Sequence, residues 1–299
     1  MEQIDLHMHT KYSDGEYTVP EILKVAEERN VKTISITDHN SVGAFLELEN
    51  NDYSHIFSGK IIRGTEINSF YNGKVVEFLV YDYDLKKMND FINSRYGHDW
   101  SRNKINYVLN HTKSVAKSKG MIFDPNFDIS NSIGETSQFF RHMLTFEENK
   151  KLFPKELIEN TRLFFRKEIC NPKSDFYIDY SKFYLTPKET INFVKQNGGK
   201  VFLAHLFEYG FENPMELLNH VKDLGVDGIE CYHPSFANKE QCLLALNFAK
   251  KNNLLICGGS DFHGPTRPNQ IGILNTNIDI DINNFDWVKD AKNINLHNN

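Results

Sequence analysis

The stretch VKTISITDH, residues 31–39, decides the fold. It is rich in β-branched residues and ends in Asp38-His39, so it reads as a strand that delivers a polar pair at its end. Before it, TVPEILKVAEERN (18–30) reads as a helix: Thr18 suits the N-cap, Pro20 suits the first turn, and Ile22, Val25 and Ala26 fall on one face. After it, a second helix is expected over residues 41–50. Working outward, EQIDLH (2–7) is a short strand ending at His7, and GKIIRGTEI (59–67) is a strand ending near Glu66. GKVVEFLVYDYD (73–84) is a further strand. Strands alternating with helices predict an α/β barrel or a parallel sheet.

The character changes over residues 87–175, which are rich in Asn, Lys and Phe and read mainly as helix. DWSRNKINYVLNHTKSVAKSKG (99–120) is amphipathic and stops at Gly120. Residues 138–168 read as two helices broken near Pro154. The block is an insertion, expected to cap the substrate side of a domain made of residues 1–86 and 176–299. The alternation then resumes: helix 186–199, strand 200–205 ending in His205, helix 213–225, strand 226–233, helix 238–253, and strand 254–263 ending in Asp261 and His263.

Composition excludes several classes. An apolar content of 40% with 13% aromatics can fill a sizeable core, and 25% charged residues is ordinary for a soluble globular protein. The net charge of −6 argues against a chain that coats nucleic acid, so no stable nucleic-acid complex is expected, although a local basic patch stays open. No basic-then-apolar leader and no long apolar run is present, which predicts a cytoplasmic protein without a membrane partner. Cys170, Cys231, Cys242 and Cys257 show no C-x-x-C spacing and read as reduced, mostly buried thiols.

The metal-capable side chains are not scattered. His7, His9, His39, Glu66, His205, Asp261 and His263 all fall at or just past the end of an expected strand. In a barrel of parallel strands those ends share one rim, where active sites sit. One H-x-H pair means little, since this composition yields about half of one by chance. Imidazoles together with carboxylates suit Zn, Mn or Fe better than Ca or Mg alone. His55, His98, His111, His142, His220 and His297 lie in helices, loops or the tail and read as ordinary residues.

Together, DLHMHTKYSDG, TDHN, GTEI, LAH and GGSDFHG, in this order, resemble the polymerase-and-histidinol-phosphatase (PHP) superfamily over nearly the whole chain. The inserted block followed by YLTPKETINFVKQNGGKVFLAH is most similar to the subgroup with nucleoside-phosphatase and 5′–3′ oligonucleotide exonuclease members. The resemblance implies a distorted (β/α)7 barrel, TIM-like, with two or three divalent metal ions (Mn, Zn or Fe) that cleaves phosphate esters. It implies that His7, His9, Glu66 and Asp261 hold one metal. Glu66 would bridge to a second, completed by His205 and Glu77, and Asp14, His39 and His263 would hold a third. The chain departs from the family pattern twice. Glu77 stands where a histidine is usual, and GETS (134–137) replaces a G-R-P-H stretch, with Arg141 nearby.

Phosphate-ester hydrolysis needs a nucleophilic oxygen at neutral pH and neutralised phosphoryl charge, and clustered divalent ions supply both. His233, after GIECY, could donate to a substrate oxygen or leaving group, and Arg267 in GPTRPNQ could grip a phosphate bidentately. The leading expectation is a metal-dependent phosphoesterase for a small phosphorylated substrate, a nucleotide or short oligonucleotide. Two readings stay open beside it: a phosphatase for a metabolite such as histidinol phosphate, and a non-catalytic metal- or phosphate-binding module.

Overall fold

The computed structural model describes residues 3–129 and 135–294. Along the chain run β1 (Gln3–Asp5), α1 (Val19–Glu28), β2 (Val31–Ile34), α2 (Gly43–Asn50), β3 (Lys60–Ile61), β4 (Gly64–Tyr71), β5 (Lys74–Tyr81) and α3 (Leu85–Tyr96). Then come α4 (His98–Ser118), α5 (Glu135–Met143), α6 (Glu147–Lys150), α7 (Lys155–Glu159) and α8 (Pro187–Gln196). The chain closes with β6 (Lys200–Leu203), α9 (Pro214–Asp223), β7 (Gly228–Tyr232), α10 (Lys239–Lys251) and β8 (Leu255–Gly258). It forms two units: Met1–Ser69, Val76–Ile92 and Leu185–Asn299 make the first, and Phe70–Val75 with Asn93–Tyr184 the second.

The first unit is mixed α/β. One sheet has the order β1-β2-β3, all parallel. The other has the order β4-β5-β6-β7-β8, with β5 antiparallel to β6 and the following neighbours parallel. Single pairings join Met8 to Phe262 beyond β1 and β8, and His39, beyond β2, to Glu66 within β4. β6 and β7 are largely apolar and buried on both faces, as in a helix-covered parallel sheet: Phe202, Leu203, Ile229 and Cys231 are all fully buried. Trp287 seals one end, lying against Tyr81 and Phe202 and donating from Nε1 to the Ile256 carbonyl at 2.8 Å.

Local chemistry sets the helix ends. At α1, Glu21 Oε2 accepts from the Thr18 backbone N–H at 2.7 Å, and α8 repeats the arrangement with Thr186 and Glu189 at 2.8 Å. The expected strand 59–67 is two strands, and β4 runs on to Tyr71 before turning through Asn72-Gly73, both at positive φ, into β5. Asn68 and Ser69 look like loop residues in the sequence, yet both are buried and hydrogen-bonded. Glu66 is therefore the third residue of a long strand, not its end.

The second unit is helical. α4 buries Val108, Leu109, Thr112 and Ala116, and Gly120 follows it at φ +68°. Residues 138–168 break more often than at Pro154, because Asn149 is buried and bonds the backbone of Ile122 and Met143 between short helical turns. Phe140 and Phe164 stack at 4.2 Å in its core. Gly134 of the GETS stretch and His297 lie outside the described residues.

Candidate metal centre

Seven strands of the first unit carry the side chains of one cluster. His7 and His9 follow β1, Asp14 lies on the next loop, and His39 lies in the extended chain beyond β2. Glu66 and Glu77 come from inside β4 and β5. His205 follows β6, His233 follows β7, and Asp261 and His263 follow β8. Asp261 is held at φ +50°, a backbone state uncommon for a non-glycine residue.

The innermost group is made of four atoms. His7 Nε2 and His9 Nε2 face one another at 3.1 Å. Glu66 Oε2 lies 3.4 Å from each of them, and Asp261 Oδ1 lies 3.4 Å from His7 and 3.1 Å from His9. A cation bound tetrahedrally at about 2.1 Å spaces its ligand atoms about 3.4 Å apart. Glu66 Oε2 is buried and accepts no hydrogen bond, although three imidazoles surround it. An orphaned carboxylate oxygen among ring nitrogens fits a bound cation and makes little sense as a hydrogen-bonded core.

Two further groups adjoin it. Glu66 Oε1 lies 2.9 Å from His205 Nε2, which is 3.6 Å from Glu77 Oε2, while His39 Nδ1 is 3.1 Å from Glu66 Oε2. On the other side, Asp14 Oδ1 lies 3.1 Å from His263 Nε2 and 3.8 Å from both His9 Nδ1 and His39 Nε2. Asp14 Oδ1, His39 Nδ1 and His205 Nδ1 are likewise buried without a hydrogen-bond partner. Arg267 donates to Asp14 Oδ2 at 2.6 Å. His233 accepts the Ser235 backbone N–H at Nδ1, which turns its unpaired Nε2 towards Asp261 Oδ2, 3.7 Å away. The nine candidate ligands, with His233 and Arg267, thus lie together; Arg141 instead sits exposed on α5 of the helical unit.

Several partners were not legible from the sequence. Glu230, in the apolar strand GIECY, accepts from His7 Nδ1 at 3.0 Å and from the His205 backbone N–H at 2.7 Å. A fully buried carboxylate needs such partners, and its place in an apolar run was the available signal. The bond leaves the lone pair of His7 Nε2 facing the cluster. Asp38 accepts from Thr10 N–H, Thr10 Oγ and Ser13 Oγ at 2.6–2.7 Å, which braces the loop carrying Asp14. Asn68 donates to Glu77 Oε1 at 2.8 Å. Gly259 lets β8 pass close to His7: a Cβ there would lie 2.2 Å from the His7 Cβ.

The electrostatics suit cation ligands. Burial, with His263 and His39 nearby, lowers the His9 pKa to about 3, so its ring is neutral and carries a lone pair at ordinary pH. Burial opposes ionisation of Glu66, Asp14 and Asp261, but surrounding imidazoles overcome it and hold all three well below the usual carboxylate range. Burial also acts downward on His205, yet Glu208, Glu66 and Glu77 outweigh it and raise the pKa to about 10. Without a cation this cluster therefore holds its anionic carboxylates by protonating some of its rings.

The profile of the PHP domain matches residues 5–241. The chain belongs to the PHP domain family. Among relatives of this PHP domain, a phosphoribosyl 1,2-cyclic phosphate 1,2-diphosphodiesterase of Eggerthella lenta is 23% identical over 87% of the chain and 94% of the relative. The 5′-3′ exoribonuclease Rnm of Salmonella typhimurium is 24% identical over 87% of the chain and 85% of the relative. A putative metal-dependent phosphoesterase from Bifidobacterium adolescentis shares the fold, with a TM-score of 0.68 and 23% identity over 97% of this chain and 95% of the other. An amidohydrolase from Chromobacterium violaceum with bound sulfate does so with a TM-score of 0.66 and 17% identity over 90% of each chain. The chain is a metal-dependent phosphoester hydrolase of the PHP family. Among the described residues no helix is long and apolar enough to cross a membrane.

Proposed function

We propose that this PHP domain hydrolyses a phosphate ester of a nucleotide or short oligonucleotide. The observation that carries this reading is the orphaned Glu66 Oε2 within 3.1–3.4 Å of three imidazole nitrogens. In this reading His7, His9, Glu66 and Asp261 hold one divalent ion, Glu66, His205 and Glu77 a second, and Asp14, His39 and His263 a third. Mn, Zn and Fe all suit this donor set. Such ions supply a nucleophilic oxygen at neutral pH and counter-charge for the phosphoryl oxygens. The two sheets, linked by the single pairings Met8–Phe262 and His39–Glu66, are read as parts of one distorted barrel.

The chain's own groups do the rest. Glu230 orients His7, and Asp38 orients the loop bearing Asp14. Arg267 sits on Asp14 with its fork partly open to solvent and is placed to exchange that partner for a phosphate oxygen. His233 directs Nε2–H towards the same space, where it donates a hydrogen bond to the leaving oxygen. Glu77 adds a negative charge where the family usually has a neutral ring, which weakens phosphate binding.

The nucleotide class rests on the exoribonuclease relatives; the diphosphodiesterase relative is named for a ribose cyclic phosphate and supports only phosphoester cleavage. The test is turnover by the metal-loaded protein of an aryl phosphate, nucleoside monophosphates, cyclic phosphodiesters, short oligonucleotides and amino-alcohol phosphates. Preference for the nucleotide compounds is expected. Preference for histidinol phosphate would move the substrate class, and bound metal with no turnover of any ester would make the chain a binding module.

A further inference from the structure

The helical unit differs from the rest of the chain in charge. Residues 70–75 and 93–184 contain 16 lysines and arginines against 11 aspartates and glutamates, while the remaining residues contain 18 against 29. The unit is thus basic by about five charges inside an acidic protein. The excess is concentrated: from Arg95 to Lys119 six basic residues face only one acidic residue, Asp99.

Aromatic rings line the same helix. Trp100, Lys104, Tyr107 and His111 are spaced so that they share one face of α4. The rings continue onto the segment that ends the unit. Trp100 lies 5.7 Å from Tyr184 and 6.4 Å from Phe183, and Phe183 lies 5.4 Å from Tyr107. Tyr107 is nearly parallel to His111, 6.4 Å away. Cations are interleaved: Lys182 Nζ sits 3.0 Å above the Tyr107 ring and 5.1 Å from Phe183, and Lys104 Nζ sits 5.2 Å from Trp100. Tyr107 is 37% exposed, unusual for a large ring, and Lys182 is exposed beside it.

The geometry points to a binding surface for single-stranded nucleic acid on α4 and residues 182–184, where a base takes the place of Lys182 on the Tyr107 face and the displaced Lys182, with Lys104, meets the phosphates. Alternating rings and cations are what a strand of unpaired bases requires, since every base offers a flat face and every link an anion. A duplex hides its base faces, and an acidic peptide would use the lysines but leave the rings idle. This inference deepens the nucleotide reading above, and it concerns binding on this unit, separate from cleavage. It matches the overall charge, because a local patch suits transient binding of short strands.

The test uses the full chain loaded with metal and a fluorescent phosphorothioate single strand of about 12 nucleotides, read by anisotropy. Tyr107→Ala is expected to weaken binding about tenfold, and Tyr107→Trp to restore it. Lys182→Ala is expected to reduce the slope of log affinity against log salt by about 0.7. Aryl phosphate turnover is expected to stay unchanged in all three variants. Failure of the single strand to bind overturns the inference. So does equal binding by Tyr107→Ala, or binding of a duplex or of base-free heparin as tight as that of the single strand. Failure to hydrolyse oligonucleotides while binding them normally would overturn only the substrate assignment.

Discussion

Replacing Glu230 by glutamine changes one atom at a position that contacts no substrate and should still cripple the centre. The carboxylate accepts on both oxygens: from His7 Nδ1 at 3.0 Å and from the His205 N–H at 2.7 Å. Glutamine can accept on only one side. If its oxygen meets the His205 N–H, its amide group meets His7 Nδ1 and forces the ring proton onto Nε2, the atom that faces Glu66, His9 and Asp261. If its oxygen meets His7, a donor faces the buried His205 N–H, which leaves that group unsatisfied at about 1–3 kcal/mol. Either orientation harms the site. Loss of a carboxylate behind a ligating histidine lowers metal affinity about 10–100-fold. Competition against a metal buffer reads that affinity, and thermal melting with excess chelator reads the stability cost separately. A Glu230→Gln protein with wild-type metal affinity and an unchanged melting temperature would refute the assignment of His7 as a ligand positioned by Glu230.

Other outcomes follow from the same geometry. His9→Ala and Asp261→Ala should each abolish aryl phosphate turnover while the far-ultraviolet circular dichroism spectrum stays native; wild-type rates in either would exclude the cluster as the active centre. Gly259→Ala pushes a methyl group against His7 at 2.2 Å and should cost about 1–3 kcal/mol in denaturant unfolding, together with lost turnover. The chelated protein should be most stable near pH 6.5. Below it, unfolded His9 gains a proton that the folded ring, at about 3, refuses, so stability falls on acidification. Above it, folded His205 keeps its proton up to about 10 whereas the unfolded ring does not, so stability falls again as pH rises. A melting temperature that stays flat between pH 4 and 9 under chelation would contradict this. Glu77→His should tighten inhibition by inorganic phosphate, and unchanged inhibition would remove the proposed influence of Glu77's charge.

The alternation of strands and helices around VKTISITDH, and the strand-end placement of His7, His9, His39, His205, Asp261 and His263, are legible in the sequence because strand and helix periods are local. The helix caps at Thr18 and Thr186 are legible for the same reason. The four cysteines are buried and free, as their spacing implied. The length of β4 was not legible. Asn68 and Ser69 look like turn residues until Glu77 and Thr190, from β5 and α8, arrive to bond them. Glu230 was hidden likewise, since a carboxylate in GIECY acquires its purpose only when His7, 223 residues away, turns Nδ1 towards it. Local pattern is written in neighbouring residues, so the sequence alone determined most of the elements and the donor types. Which carboxylate serves a cation, which braces a ring and which stays without a partner depends on distances between residues far apart in the chain, and only the tertiary structure decides those.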